Sequence, residues 1–169
     1  MENNSIIAKN EKRPSSIVLF SVIMLATMGL GLTVAYCSGI LNGTANLAPT
    51  SFTLPNWVVI AIPPVLFFEL AMGLFFALRE NIYTANGKML RVWTWIFWCT
   101  LFLMTAFTPY FIFNGMPIAA YIMATITTAL AIGTTILVYR QTLAGGIMMT
   151  VFLAISMLVM IYLGYWVFA

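Results

Sequence analysis

The sequence predicts an all-α membrane protein, a bundle of five transmembrane helices without a soluble domain. Of its 169 residues, 63% are hydrophobic and 7% are charged, a composition that cannot cover a water-exposed surface. No charged residue lies between Arg13 and Glu69, and only Arg140 is charged after Arg91. The uncharged stretches contain five apolar segments of about 20 residues or more, the length that crosses a bilayer as a helix.

The five segments follow a short tail, residues 1–16, and fill residues 17–169. The first resembles a signal peptide because Lys9, Lys12 and Arg13 precede it, but its apolar run is too long for one and predicts a retained helix. The second carries Pro63 and Pro64, which predict a kink or a break. The predicted helices are 17–39, 57–78, 92–113, 117–139 and 144–168, and loop 1 covers 40–56.

The positions of the basic residues predict the orientation. Every Lys and Arg falls in the tail, the second loop or the fourth loop: Lys9, Lys12, Arg13, Arg79, Lys88, Arg91 and Arg140. Because basic loops stay on the cytoplasmic side, the N-terminus is expected inside and the C-terminus and loop 1 outside. A bacterial inner membrane is the favoured location. The net charge of +3 is dispersed at helix ends, which favours contact with lipid headgroups over nucleic acid.

Several classes of chemistry are excluded by residue type. The chain has no His and no Asp, so a Ser-His-Asp triad, a histidine-ligated haem and a His-containing zinc site cannot form. We therefore expect no enzyme activity, no metal and no covalent cofactor. Cys37 and Cys99 are predicted at different membrane depths, where no disulfide can join them.

Glu69 is the one acidic residue inside a predicted span, about twelve residues after Trp57 and so near mid-membrane. An ionised carboxylate is costly at that depth, so the side chain is expected to face the bundle interior and to be protonated, paired or hydrogen-bonded. It either anchors a ligand or moves a proton, or it is a neutral group bonded to a neighbouring helix. The sequence does not decide between these functions.

Aromatic residues make up 15% of the chain. Tryptophans near predicted helix ends, such as Trp57 and Trp166, are typical interfacial anchors. Phe68, Phe107 and Phe111 lie deeper, where they either line a flat apolar pocket or fill the core.

The chain resembles the TspO/translocator protein family over about residues 17–169, and three stretches carry the resemblance most clearly. The residues P-T-S-F-T-L-P-N-W that end at Trp57 are similar to that family's K-P-S-F-x-P-P-x-W at the end of loop 1. The spacing from Pro63 to Met72 and Gly73 also fits, after an apparent two-residue insertion. Helix 3 carries L-M-T-A-F-T-P-Y-F, from Leu103 to Phe111, where the family has L-N-x-x-W-S-P-L-F. Pro117, Ala120, Ala144 and Trp166 continue the match.

The chain also departs from the family pattern. Met104 and Phe107 replace an Asn and a Trp, Val65 replaces a Trp, and Glu69 stands in place of a Tyr. Helix 5 lacks the family's Pro-Tyr and Trp, since it has Thr150, Val151 and Ala154 there, and Tyr162 replaces an Asn. The pocket implied by the resemblance therefore has its own chemistry.

The resemblance implies a protein that binds a porphyrin or a sterol in a pocket beneath loop 1, commonly as a homodimer, in a sensor or transport role. On this hypothesis Trp57 stacks on the ligand, Glu69 makes a polar contact, and Phe107 and Phe111 form walls, with Phe68 and Trp166 nearby. The alternative is an accessory subunit that packs into a larger membrane complex and has no ligand of its own.

Overall fold

The computed structural model describes residues 16–39, 55–79 and 85–168, and these contain five α-helices and no strand. The helices are α1 (Ser16–Cys37), α2 (Asn56–Arg79), α3 (Ala85–Phe113), α4 (Pro117–Tyr139) and α5 (Leu143–Phe168). All five are long and apolar enough to cross a membrane. The prediction of five apolar helices long enough to cross a membrane is confirmed for these residues.

The observed helix ends differ from the predicted ones mainly at α3. This helix begins at Ala85, rather than at residue 92, so it includes Lys88 and Arg91. A backbone helix can continue past the hydrocarbon into the headgroup region, where basic side chains are solvated. The apolar stretch of a sequence predicts which part of a helix lies in the membrane, but it does not predict the residue at which the helix begins.

The two prolines of α2 do not interrupt the helix, which runs through Pro63 and Pro64. A proline has no N–H, so the carbonyls of Val59 and Ile60, four residues earlier, lose their usual helical donors. The break that the sequence allowed is absent from this helix.

The helices form a closed ring in the order α1, α2, α5, α4, α3, and each packs on its two neighbours. Small residues permit the close approaches. A Cβ atom added to Gly31 of α1 would lie 2.5 Å from the ring of Phe67 on α2, and one added to Gly133 of α4 would lie 2.8 Å from Phe97 of α3. Such contacts between small and large residues are the usual way in which membrane helices pack.

Most of the buried hydroxyl groups in the described core donate a hydrogen bond to a backbone carbonyl. Threonines throughout α3 and α4 donate to the carbonyl four residues earlier, as Thr105 does to Leu101 at 2.8 Å. Between helices, Thr135 Oγ1 donates to the Met149 carbonyl at 3.2 Å and Trp98 Nε1 donates to the Leu70 carbonyl at 2.9 Å. These bonds remove polar atoms from an environment without water.

The two ends of the bundle differ in charge. The end at which α2 and α4 finish and α3 begins carries Arg79, Arg91 and Arg140, and is called the basic end here. Arg91 also donates to the Leu78 carbonyl at 3.3 Å, which ties α3 to the last turn of α2. The opposite end, where α2 begins and α3 and α5 finish, is called the loop-1 end. Cys37 and Cys99 are both free thiols, as expected from their different depths.

Candidate ligand cavity

A cavity of about 820 Å³ lies between α2, α3, α4 and α5. Ligand pockets for small organic molecules have volumes of roughly 300 to 1,000 Å³, so this cavity has the size of a ligand site. Its wall on α2 runs from Trp57 to Phe67, a distance of about 15 Å along a helix. The walls on α3, α4 and α5 include Thr105, Thr108, Ala124, Thr127, Ser156, Leu158, Tyr162 and Tyr165.

The cavity exists because α2 and α5 pack tightly over only part of their length. Toward the basic end, Gly73 of α2 admits Met149 of α5, since an added Cβ would lie 2.6 Å from the Met149 sulfur. Gly145 of α5 similarly lies close to Phe76. Toward the loop-1 end no glycine of α2 faces α5, and the wall residues there include exposed side chains.

Exposed wall residues mark a lateral opening of the cavity between α2 and α5. Val65 is 41% exposed and Leu158 is 66% exposed, and both line the cavity. Because the surrounding surface is apolar, this opening faces the lipid if the helices span a membrane. An apolar molecule dissolved in the bilayer could reach the cavity without crossing water.

The wall is almost entirely apolar. Apart from the indole N–H of Trp57, its polar side-chain groups are hydroxyls, and no Lys, Arg or Glu is among the described residues that line it. Thr105, Thr108 and Thr127 each donate to the carbonyl four residues earlier at 2.8 to 2.9 Å. A site of this kind favours a largely apolar molecule whose charged groups, if it has any, stay outside the wall, because burying a charge without a partner is costly.

Ser156 differs from the threonines of the wall. Its side chain is only 4% exposed, and its Oγ has no hydrogen-bond partner within the described part of the chain. Thr128 Oγ1 donates to the Ala124 carbonyl at 2.9 Å and lies 3.4 Å from the Ser156 carbonyl, so α4 and α5 are in contact at this depth. Ser156 thus lines the cavity as a residue, while its Oγ is closed off from the open space.

Of the six residues predicted for the site, Trp57 lies in the wall, at the loop-1 end. Glu69 lies one helical turn beyond Val65 and Leu66, toward the basic end, and the described wall does not include it. Its Oε2 is buried without a hydrogen-bond partner among the described residues. This atom is therefore buried, as expected, and of the three expected states of Glu69, protonated, paired or hydrogen-bonded, a hydrogen bond to Oε2 is not found among the described residues.

The predicted aromatic walls lie elsewhere. Phe68 and Phe107 are 39% and 51% exposed, and neither is among the described residues that line the cavity. Phe111 and Trp166 are partly buried and pack around a second core cluster that contains Ile112 and Leu163. The structure does not bring these four residues together with Trp57 in one wall.

Ser156 and the threonines of the wall could not be predicted as wall residues, because hydroxyl residues occur along the whole length of the apolar helices and do not by themselves mark a cavity. The pair Thr105 and Thr108 has the spacing of one helix face, and Thr127 adds a hydroxyl on α4. Loop 1, the predicted cover of the pocket, falls mainly in residues 40–54, outside the described residues.

Five helices that are apolar enough to cross a membrane, around a cavity of ligand size, define the class: an all-helical protein of the multi-pass membrane type with an apolar cavity that opens on the apolar surface between α2 and α5. Compared with models of protein families, with curated proteins and with solved structures, the chain matches none. The resemblance to the TspO/translocator protein family therefore rests on the motifs quoted above.

Proposed function

We propose that this protein is a TspO-like membrane protein that binds an apolar ligand, a tetrapyrrole or a sterol-like lipid, in the cavity between α2 and α5, in a sensor or transport role. The observation that carries the proposal is the cavity itself, about 820 Å³ with an apolar wall. A cavity of this size lacks the van der Waals contacts of a packed core, which destabilises the bundle. An apolar ligand in the cavity would supply those contacts.

Trp57 is the proposed stacking residue. It lines the loop-1 end of the cavity and is 72% exposed, so one face of the indole is free to cover a bound ring. The proposal includes an N-terminus inside and a C-terminus outside, location in a bacterial inner membrane, and a homodimer. It includes no catalytic step, because the wall offers hydroxyls but no acid or base.

The test is a titration of the detergent-purified protein with protoporphyrin and, separately, with cholesterol, following tryptophan fluorescence. Ala124 is 4% exposed and lines the cavity, so Ala124→Phe places a ring in the ligand's space. We expect saturable quenching in the parent protein and at least tenfold weaker binding in this variant. Trp57→Phe should weaken binding several-fold through the loss of stacking area.

Ala129→Phe is the matched control, since Ala129 lies on the same helix, is exposed, and is outside the described wall. It should bind like the parent. Absence of saturable binding to both ligands in the folded parent would contradict the proposal and favour the accessory subunit, for which co-purification of a stable membrane partner is the next measurement. Equal affinity in Ala124→Phe would place the ligand elsewhere.

A further inference from the structure

We propose that Glu69 binds the amino group of a lipophilic amine, whose apolar body lies in the cavity and whose amino group projects from the opening between α2 and α5. The inference rests on the proposed function, because it assumes that the cavity holds a ligand. It adds the chemical class of the ligand's polar group and the direction in which the ligand lies.

Glu69 lies on the face of α2 that borders the opening. Val65, four residues before it, is exposed at the edge of the opening and lines the cavity. Gly73, four residues after it, packs against Met149 of α5. Residues four apart lie on one face of a helix, so Glu69 stands where α2 and α5 begin to separate.

The side chain of Glu69 leans toward the cavity from this position. Helical side chains lean toward the N-terminus of their own helix, and α2 begins at the loop-1 end. The carboxyl group is therefore directed to the turn of Val65 and Leu66, which both line the cavity. Because Glu69 is outside the described wall, it meets only a group that projects through the opening.

The carboxyl group is open to a ligand at one of its two oxygens. The hydroxyl oxygens of Thr27 and Ser156 are buried without partners, and so is Glu69 Oε2. Glu69 as a residue is partly exposed, and its Oε1 is not closed off in this way. Val65 and Phe68, which are exposed beside it, make the surrounding surface apolar. An acidic group is thus presented at an apolar surface next to the mouth of a cavity.

The described part of the chain provides no counter-ion for Glu69. Its basic residues Arg79, Arg91 and Arg140 lie at the basic end, and Arg79 is about 15 Å further along α2 by helical rise. An ionised carboxylate is costly at this depth without a partner. An amine beside it forms a pair without net charge and supplies N–H donors to the carboxyl oxygen. An alcohol offers one neutral donor, and a carboxylate would be repelled.

The cavity wall suits the apolar body of such a ligand and sets its direction. The wall is apolar apart from hydroxyls and the indole of Trp57, and it contains no described side chain that would bind an amino group as an ion pair. With the amino group at Glu69, the apolar body extends toward the loop-1 end. Trp57 lies there, about 18 Å away from Glu69 along α2.

The experiment compares three probes that share an undecyl chain with a bromine at one end and that carry an amine, an alcohol or a carboxylic acid at the other. Bromine quenches tryptophan fluorescence at short range, so quenching reports binding to the full-length protein in an uncharged detergent. Glu69→Gln removes the charge and keeps the shape. Glu11→Gln, in the tail before α1, makes the same change in charge and is the matched control. Thermal unfolding establishes that each variant is folded.

We expect the parent to bind the amine at least tenfold more tightly than the alcohol, and the acid more weakly than both. This comparison needs no variant. Glu69→Gln should weaken amine binding about tenfold, within the range for a hydrogen bond to a charged group, and leave alcohol binding unchanged. Glu11→Gln should alter neither.

Ala124→Phe tests whether the body of the amine lies in the cavity. Ala124 is buried and lines the wall, so the added ring should weaken binding of the amine and of the alcohol alike. Trp57→Phe should lower the quenching at saturation with the amine, because the bromine lies at the loop-1 end.

Three results would overturn the inference: a parent without preference for the amine, a folded Glu69→Gln variant that binds the amine like the parent, or undiminished amine binding in Ala124→Phe. Saturable binding of protoporphyrin or cholesterol would still support the proposed function in each case. A folded parent that binds none of the three probes, protoporphyrin or cholesterol would instead remove the proposed function, and the inference with it.

Discussion

Single residues decide how closely α1 approaches α2. Gly31 has no side chain, and the ring of Phe67, which is 1% exposed, occupies the space beside it. Phe67 also contacts Phe102 of α3 edge to face, with ring centroids 5.8 Å apart, and lines the cavity. One glycine therefore connects the packing of three helices to the shape of the ligand cavity.

Gly31→Ala should destabilise the protein by about 1 to 3 kcal/mol, the usual cost of overpacking. The added methyl group would meet ring atoms of Phe67, which is held on its other side by Phe102. The measurement is thermal unfolding in detergent, where we expect a lower Tm. Gly29→Ala is the control, because nothing lies within 4 Å of a Cβ at that position and alanine favours a helix. Equal Tm values for the two variants would contradict the packing described.

The depth of Glu69 along its helix could be predicted from the sequence, whereas the residues that surround it could not. Its depth follows from counting residues along one helix, and its Oε2 is indeed buried. Which neighbours surround it depends on the rotation of α2 and on its pairing with α5, neither of which is contained in the local sequence. The same limit explains why Phe68 and Phe107 were predicted in a wall and lie outside it.

At the level of helices, the opening between α2 and α5 has a consequence for the route by which a ligand enters the cavity. The two helices are held together by Gly73 and Gly145 toward the basic end, and Val65 and Leu158 are exposed where they diverge. A ligand that dissolves in lipid would reach the cavity through this opening, so side chains at its edges should control the rate of binding.

Val65→Trp combined with Leu158→Trp should slow protoporphyrin association several-fold in lipid nanodiscs, because two indoles narrow the opening. Stopped-flow fluorescence measures the rate. Ile136→Trp, at an exposed position of α4 outside the described wall, is the control for added tryptophan. An unchanged association rate in the double variant would mean that the ligand arrives from the loop-1 end of the bundle.

The helices themselves were largely predictable from the sequence, whereas the cavity was not. Apolar length and the charge-free stretches located all five, with α4 at the predicted 117–139. The extension of α3 back to Ala85 was not predicted, because hydropathy indicates which residues lie in lipid and does not indicate where the helical hydrogen bonds begin. The cavity depends on contacts between helices far apart in the chain, such as α2 with α5, and no local pattern encodes that pairing.

For the whole molecule, the distribution of charge is the main constraint on its placement in a membrane. Arg79, Arg91 and Arg140 lie at one end of the bundle, and five spans place the two termini on opposite sides. We propose that the basic residues are retained in the cytoplasm, so that the basic end faces inside. The cavity then lies in the outer half of the membrane, next to the outer leaflet.

Cysteine labelling in intact cells tests this orientation. In a Cys37→Ala, Cys99→Ala background, Asn114→Cys places a thiol at the exposed turn between α3 and α4, and Arg140→Cys places one at the exposed turn between α4 and α5. Because the chain crosses the membrane between these turns, a membrane-impermeant maleimide should label residue 114 in intact cells and residue 140 only after permeabilisation. The other Lys and Arg residues stay in place, so the charge asymmetry is preserved. The reverse pattern would put the basic end outside and the cavity opening in the inner leaflet, and a ligand would then have to come from the cytoplasmic side.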